Sequence, residues 1–245
     1  MRIKHEKVLV VFIAYVPTNR GLRYARESSA LCSSSFCIVP VRGEMIPWLV
    51  TFDNSLPRVG VTGEDLLEEN YAGFLYDDIN RPAFLRKLGL CGKGAYENAL
   101  FGLPALCVLS KQGMPVELFR KKYDFSSKSS QEINNAIRGI GDFDLAGKKV
   151  AAPVRYKHLI KRKVAEADCV EWQYLDGKVD VTIASDVSFD AAIDVVVTGK
   201  TIQETGLGIE AVLFLSDGVV IGNQAAAELM CKSKSYKTDQ LEGTL

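Results

Sequence analysis

Short apolar runs rich in β-branched residues alternate with amphipathic segments of helical length along the whole chain. This alternation predicts an α/β protein with largely parallel sheets. The 245 residues, of which 47% are apolar, are enough to build the core of two modest lobes or of one large domain. No segment repeats with a period of about 20 to 50 residues, which argues against a solenoid.

The strands predicted from these runs lie at residues 7–14, 36–41, 58–62, 105–110, 149–153, 169–172, 181–184, 193–197 and 210–214. Helices are predicted to begin near Gly21, Met45, Gly63, Leu118, Tyr156, Thr201 and Gln224. The apolar run at 8–16 is too short to span a bilayer and no cleavage site follows it, so it is interpreted as a buried strand. The polar stretch 112–145 interrupts the alternation and is predicted as a surface excursion with one helix at 131–138.

The composition argues against several classes of partner. Thirty Lys and Arg residues balance thirty Asp and Glu residues, so no net charge attracts nucleic acid or a membrane surface. The six cysteines lack Cys-x-x-Cys spacing and only two histidines are present, which argues against a zinc site. A disulfide framework is not expected at this size, and reduced thiols indicate a cytoplasmic protein.

Residues 190–203 are the most informative stretch of the chain. An apolar β-branched run carries Asp190 and Asp194, and Thr198-Gly199-Lys200-Thr201 then leads directly into a helix. A glycine at this point lets the backbone turn with positive φ, so that successive N–H groups and the hydroxyl groups converge on an anion. The two carboxylates are suited to sugar hydroxyl groups or Mg²⁺. The predicted ligand is therefore a sugar phosphate whose hydroxyl groups face the acids.

Two other structures are considered for this stretch, a Walker A loop and an ordinary turn. A Walker A loop requires a glycine five residues before Gly199, and Asp194 stands there instead, which excludes it. An ordinary strand followed by a turn and a capped helix remains open. The sequence contains no nucleophile elbow, no HExxH motif and no GxGxxG motif opening a helix.

A second Thr-Gly turn follows an apolar strand at residues 59–63. Glu64 and Asp65 then occupy the first turn of a predicted helix, where acidic side chains complement the helix dipole. A helix that begins at the carboxyl end of a strand is also where open α/β sheets bind ligands. A well-capped helix without a ligand fits the segment equally well.

Three arginines follow the first two predicted strands, namely Arg20, Arg23 and Arg42. Their guanidinium groups are suited to bidentate phosphate binding, and a solvated loop is the alternative. The basic segment 156–163 at a helix start offers a further positive face, although most such charge runs are solvated surface.

Taken together, these segments resemble the catalytic chain of ATP phosphoribosyltransferase, the first enzyme of histidine biosynthesis. The motifs that carry the resemblance occur in the family's order: the turn at 17–23, the Arg-x-x-Met-Ile-Pro element at 42–47, Gly-Val-Thr-Gly-Glu-Asp-Leu-Leu at 60–67, the phosphoribosyl-binding element at 189–202, and Ser216 with Ile221 and Asn223. The chain departs from the pattern near Cys107, where the family usually has an Arg, and at Asp180, where it favours Glu.

The resemblance implies two α/β lobes of the type II periplasmic-binding-protein kind, joined by two crossover strands, with the active site in the cleft. The lobes would be 1–105 with 207–245, and 106–206 with an insertion at about 112–145. The chain resembles the short form of the family, which implies a regulatory subunit resembling histidyl-tRNA synthetase, and a homodimer or a higher oligomer.

The activity implied is Mg²⁺-dependent transfer of a phosphoribosyl group from phosphoribosyl pyrophosphate to N1 of ATP, with release of pyrophosphate. The residues expected to act in catalysis are Asp190, Asp194 and Arg20. The expected Mg²⁺ ligands are Asp194 and Asp190. The residues expected to bind substrate are Asp194, Thr198, Gly199, Lys200, Thr201, Arg23, Arg42, Thr62, Gly63 and Asp65.

Two other functions stay open at this point. One is a cytoplasmic paralogue that binds a nucleotide or sugar phosphate without turnover, because solute receptors share the two-lobed fold. The other is a phosphoribosyltransferase with a different acceptor. The helix start at 62–65 favours ATP phosphoribosyltransferase over the second of these.

Overall fold

The computed structural model describes residues 11–17, 35–73, 82–88, 99–123, 125, 128, 130–137, 143–164, 169–177, 179–186 and 188–229. Contacts divide the chain into two compact units. Unit 1 comprises Met1–Thr62, Tyr76–Lys87 and Gly218–Leu245, and unit 2 comprises Gly63–Leu75 and Leu88–Asp217. No helix among the described residues is both long and apolar enough to cross a bilayer.

Unit 1 contains a five-stranded sheet in the order β2-β1-β3-β10-β4. Its strands are β1 (Val11–Pro17), β2 (Ser35–Val41), β3 (Arg58–Gly63), β4 (Ala83–Lys87) and β10 (Gly218–Gly222). Strand β1 pairs in parallel with β2 and β3, whereas β4 is antiparallel to β10. A 3₁₀ turn, Gly43–Met45, leads into helix α1 (Ile46–Thr51), and residues 224–229 are also helical.

Helix α1 lies against the sheet at a glycine. Ile46 and Val50 are fully buried, and a Cβ added to Gly60 in β3 would lie 2.4 Å from Ile46 Cγ2. A side chain at residue 60 would therefore push the helix off the sheet, which explains a glycine inside an otherwise β-branched strand.

Unit 2 contains a second five-stranded sheet in the order β7-β6-β8-β5-β9. Its strands are β5 (Ala105–Ser110), β6 (Lys149–Pro153), β7 (Glu171–Leu175), β8 (Ala191–Val196) and β9 (Gly208–Leu215). Its helices are α2 (Glu64–Gly73), α3 (Val116–Lys122), α4 (Ser130–Ile137), α5 (Lys157–Lys163), α6 (Val179–Ser185) and α7 (Lys200–Thr205). Strands β7, β6 and β8 are parallel, whereas β5 runs antiparallel to β8 and β9.

The core of unit 2 surrounds its central strands. All six residues of β5 are buried, and Val150, Ala152 and Ile193 from β6 and β8 are fully buried with Leu159 and Ile160 of α5. Strands covered on both faces read as continuous apolar runs rather than as alternating patterns. This burial explains why these strands were predictable from the sequence.

The predicted α/β class is confirmed, with two corrections to its elements. The run at 181–184 lies in helix α6 rather than in a strand. Val179 and Ile183 are both buried and lie one helical turn apart, a spacing that a four-residue apolar run cannot reveal. The sheets are mixed rather than largely parallel, and β4 and β10 were not among the predicted strands. The helix predicted near Gly21 and the predicted strand residues before 11 lie outside the described residues.

The predicted lobe boundaries differ from the division by contacts. Strand β9 pairs with β5 and therefore belongs to unit 2, as do residues 63–75 and 88–105. The cleft and the two crossover strands remain predictions.

The stretch 112–145 is not simply a surface excursion. It contains α3 and α4, and Phe119 and Ile133 are fully buried. Phe119 and Phe125 also form ring contacts with Phe101, at centroid distances of 5.0 and 5.9 Å. The segment is thus part of the core of unit 2.

Candidate functional site

Two adjoining cavities in unit 2 lie at one edge of its sheet. The larger, about 400 Å³, is lined by Arg155 and Asp176, which follow the carboxyl ends of β6 and β7, and by Asp194 in the carboxyl-terminal half of β8. The smaller, about 160 Å³, is lined by residues 194–202, and both cavities share Asp180 and Asp194. Ligands of α/β sheets bind outside the carboxyl ends of parallel strands, and these cavities occupy that position.

The Thr-Gly bend at 197–199 lies between β8 and α7 and lines the smaller cavity. Gly199 has φ 74° and ψ 3°, the left-handed conformation that glycine adopts without strain. A Cβ added there would lie 3.0 Å from Val116 Cγ1, so the back of the bend has no room for a side chain. The predicted positive φ at Gly199 is confirmed.

The polar groups of the bend are arranged around this glycine. The Lys200 amide donates to Thr198 Oγ1 at 3.3 Å, and the Leu100 amide donates to the Val197 carbonyl at 2.7 Å. The Lys200 side chain is exposed and its Nζ lies 3.7 Å from Glu204 one turn later, a weak surface pair. Thr198, Lys200 and Thr201 therefore line one small cavity, and their binding of a phosphate stays a prediction.

Asp194 is the acidic group closest in sequence to the bend, and it is partly buried. The Val195 amide donates to its Oδ1 at 2.7 Å. Burial raises the pKa of the Asp194 carboxyl, and the nearby Asp180 charge adds to the rise, while the Val195 hydrogen bond and Arg155 oppose it. A cation or the hydroxyl groups of a ligand would stabilise the ionised form of such a carboxylate.

Asp190 does not accompany Asp194. It lies at the opposite, amino-terminal end of β8, where its Oδ2 accepts the Lys149 amide at 2.8 Å and its own amide donates to the Lys149 carbonyl. Four residues of extended chain separate the two carboxylates by ~13 Å. This corrects the prediction that Asp190 and Asp194 act as a pair on sugar or metal, because the backbone is extended between them.

Asp180 and Arg155 line the larger cavity beside Asp194, whereas Asp190 does not line it. Asp180 lies in the first turn of α6, and its backbone amide hydrogen bonds to Asp194. Arg155 follows β6 and lies over the ring of Tyr156 at 5.1 Å. The sequence offered a signal for Asp180 in its match to a family acid, but residues 181–184 had been assigned to a strand.

The second Thr-Gly turn is closed by protein groups. Asp65 is buried, its carboxylate accepts the Tyr156 hydroxyl at 2.6 Å and the Ser216 hydroxyl at 2.5 Å, and its amide donates back to Ser216 Oγ. Gly63 is needed because an added Cβ would lie 2.3 Å from Asp65 Oδ1. Thr62 is fully buried and its hydroxyl has no hydrogen-bond partner within the described part of the chain. These contacts give Asp65 a structural role, and its substrate-binding role stays a prediction.

The basic segment at 156–163 is paired with helix α2. Glu69 accepts the backbone amides of His158 and Leu159, at 3.2 and 2.6 Å, and lies 2.8 Å from His158 Nδ1. Glu68 forms an ion pair with Arg162. Glu69 caps the start of α5, and the two acids together neutralise part of its positive face, so that face is less suited to binding a phosphate.

The remaining predicted cations lie in the N-terminal part of the chain. Arg42 is exposed and precedes the 3₁₀ turn at Gly43–Met45, with its carbonyl accepting the Met45 amide. Arg20 and Arg23 lie outside the described residues.

Cys107, paired with Asp194 in the sheet register, is buried, and burial raises the pKa of its thiol. It is therefore held as a neutral thiol rather than as a nucleophile.

The residues present fit a magnesium ion only as a site shared with substrate. No group of three or more His, Cys, Asp or Glu residues in the described ranges is arranged to hold a metal. Asp180 and Asp194 line both cavities, and their like charges raise the pKa of Asp194. Mg²⁺ commonly binds one or two carboxylates and completes its shell with substrate phosphates and water. Two converging acids match that kind of site.

Comparisons with known proteins identify the family of the chain. The family model HisG: ATP phosphoribosyltransferase matches residues 111–243, a range that contains the bend, the stretch 112–145 and every residue that lines the cavities except Leu109. A protein of Nitratidesulfovibrio vulgaris (strain DP4) named ATP phosphoribosyltransferase is 35% identical over 100 residues. That match covers 40% of this chain and 32% of the relative, so the matched region is about a third of the relative's length.

Solved structures show the fold. A chain of the ATP phosphoribosyl transferase (HisG:HisZ) complex from Thermotoga maritima is 14% identical and covers 96% of this chain and 98% of its own, with a TM-score of 0.54. A weaker likeness, with a TM-score of 0.45 and 12% identity over 90% of this chain and 63% of the other, is to the periplasmic aliphatic sulphonate binding protein SsuA from Escherichia coli. On the family match, which spans more than half of its residues, this chain belongs to the ATP phosphoribosyltransferase (HisG) family.

Proposed function

We propose that the chain transfers a phosphoribosyl group from phosphoribosyl pyrophosphate to N1 of ATP and releases pyrophosphate, the first step of histidine biosynthesis. The observation that carries the proposal is the left-handed bend at Gly199, which follows the partly buried Asp194 by five residues, at the carboxyl ends of three parallel strands. Membership of the family supports the reaction class.

In this proposal the smaller cavity takes the 5-phosphate. Backbone amides of the bend, the hydroxyl groups of Thr198 and Thr201, and the Lys200 ammonium would surround the phosphate oxygens. Asp194 would accept the ribose hydroxyl groups, which are donors and so suit a carboxylate. The larger cavity, about 400 Å³, would hold the ring and the pyrophosphate, with Arg155 as a cationic neighbour.

Catalysis would come from positioning and electrostatics, since the reaction needs no protein nucleophile. Binding energy from the remote 5-phosphate would hold C1 of the ribose for in-line attack by N1 of adenine. Carboxylates beside the ring would stabilise the positive charge that develops on it. Asp180 and Asp194 would hold Mg²⁺, which when bound would neutralise the charge of the leaving pyrophosphate.

We also propose that the chain works with a regulatory subunit resembling histidyl-tRNA synthetase. The Thermotoga maritima structure with a similar fold is a HisG:HisZ complex, which supports this proposal. Co-expression of the chain with such a subunit, followed by size-exclusion chromatography, tests it. Separate elution of the two chains would contradict it.

One assay tests the proposed activity. The protein is mixed with ATP, phosphoribosyl pyrophosphate and Mg²⁺, and the ultraviolet absorbance of the adduct is followed. Product formation supports the proposal, whereas binding without product would identify a non-catalytic binder. Replacing ATP by other bases separates this enzyme from a phosphoribosyltransferase with a different acceptor.

A further inference from the structure

Helix α3, which lies in the stretch 112–145, is fixed to the sheet that carries the bend. Gly113 and Gly208 approach so closely that a Cβ added to Gly113 would lie 2.4 Å from the backbone of Gly208. Met114 and Ile209 exchange two backbone hydrogen bonds of 2.9 Å each. The start of α3 is therefore held on β9, the strand that follows α7.

Three side chains of α3 then meet the bend and the helix after it. Val116 packs behind Gly199, Arg120 Nη2 donates to the Thr198 carbonyl at 2.7 Å, and Glu117 Oε1 accepts Gln203 Nε2 at 2.8 Å. We call these residues, Val116, Glu117 and Arg120, the brace. Val116 contacts the bend at Gly199 and Arg120 contacts it at the Thr198 carbonyl. Glu117 contacts α7, the helix that follows the bend.

Aromatic packing makes α3 a firm support. Phe119, on the same helix, is fully buried and its ring lies 5.0 Å from that of Phe101 and 4.8 Å from that of Tyr123. A helix locked by buried aromatic side chains loses little further entropy when it holds another segment in place.

The hydrogen bond of Arg120 fixes the direction of a peptide group. In a planar trans peptide the carbonyl and the following N–H point in opposite directions. Because Arg120 draws the Thr198 carbonyl towards α3, the Gly199 amide is directed away from α3. The Leu100 amide fixes the direction of the preceding peptide group, because it donates to the Val197 carbonyl at 2.7 Å.

We propose that Arg120 is a positioning residue for the phosphate-binding bend, acting through the Thr198 carbonyl. The proposal rests on the function proposed above, and it assigns the stretch 112–145 a role in substrate binding. The charged donor makes this bond stronger than a neutral one, and its loss is expected to weaken binding of phosphoribosyl pyrophosphate about fivefold to tenfold.

The test compares Arg120→Ala and Arg120→Lys with Lys121→Ala, an exposed neighbour on the same helix. Calorimetry with phosphoribosyl pyrophosphate, the KM for each substrate, and amide hydrogen exchange at residues 198–202 are measured on each. Arg120→Ala is expected to weaken binding of phosphoribosyl pyrophosphate, to leave the KM for ATP within about twofold, and to speed exchange in the bend. Arg120→Lys should recover part of the binding, and Lys121→Ala should match the parent protein.

The outcomes separate the two proposals. Unchanged binding and unchanged exchange in Arg120→Ala would overturn the role of Arg120 and leave the proposed function standing. A parent protein that does not bind phosphoribosyl pyrophosphate would overturn the proposed function. The exchange rates would then decide alone whether Arg120 holds the bend.

Discussion

The two Thr-Gly turns of this protein begin from nearly the same sequence pattern and end in opposite environments. At the first, Gly63 makes room for Asp65, whose carboxylate is turned into the protein and bound by Tyr156 and Ser216. At the second, Gly199 adopts a left-handed conformation and the following Lys200 remains exposed beside a cavity. One turn is sealed, and the other is open to a ligand.

The difference shows what a Thr-Gly turn can and cannot indicate. Both turns place a helix after a strand, and both carry an acid nearby. The neighbouring groups make the two acids different. The buried Asp65 accepts hydrogen bonds from two hydroxyl groups, whereas burial and the charge of Asp180 raise the pKa of Asp194. The open turn is therefore the better candidate for chemistry, and the following predictions test that distinction.

The largest effect is expected from Asp194→Asn in the open turn. The change keeps the shape of the side chain but removes the charge that would stabilise the ribose and hold the cation, so turnover should fall about a hundredfold or more. Steady-state kinetics measures the loss, and circular dichroism shows that the fold is kept. Near-parental activity in this variant would remove Asp194 from the site.

Asp65→Ala in the sealed turn should act on stability instead. It leaves the hydroxyl groups of Tyr156 and Ser216 without their buried acceptor, and we expect a loss of about 2–4 kcal/mol in the free energy of unfolding. Urea denaturation measures it. Tyr156→Phe, which removes only one hydrogen bond, is the milder companion, expected to cost about 1 kcal/mol. A free energy of unfolding equal to that of the parent in Asp65→Ala would contradict the role of Asp65 as the acceptor for Tyr156 and Ser216.

Alanine at each glycine should sharpen the comparison. Gly199→Ala places a Cβ at positive φ beside Val116 and should cost about 1–2 kcal/mol. Gly63→Ala should destabilise by displacing Asp65, so its effect should shrink when Asp65 is already Ala. A double-mutant cycle by urea denaturation measures the coupling, and full additivity of Gly63→Ala with Asp65→Ala would contradict the contact.

The smallest effect concerns pH. Because the pKa of Asp194 is raised in the folded state above its ordinary value of 3.8, the ionised group lowers stability at neutral pH. That penalty disappears as the pH falls through the raised pKa to below the unfolded value. Asp194→Asn should thus be slightly more stable than the parent at pH 7 and no more stable at about pH 3. Thermal unfolding at both pH values checks this, and a gain that is equal at both would exclude the raised pKa as its cause.

The sequence anticipated those parts of the fold whose signal is local. Strands β5 and β6 are buried, mainly apolar runs, β8 is an apolar run interrupted by Asp194, and helix α4 was predicted within one residue at each end. Helix α6 was missed because a run of three β-branched residues, Val181, Thr182 and Ile183, fits a strand or a helix turn equally well. The antiparallel placement of β5 between β8 and β9 depends on partners 83 to 110 residues away, from Leu109↔Ala192 to Ala105↔Leu215, which no local pattern records.

The sequence by itself determined the α/β class, the positive φ expected at Gly199 and the clustering of Thr198, Lys200 and Thr201, because these follow from periodicity and from adjacency along the chain. The tertiary structure alone decided that Asp190 lies at the amino-terminal end of β8, that the Asp180 amide donates to Asp194, and that Arg120 donates to the Thr198 carbonyl. The physical reason is that separation along the chain does not fix separation in space. An extended strand places residues that are near in sequence far apart, whereas packing brings together residues such as Arg120 and Thr198 that are 78 positions apart.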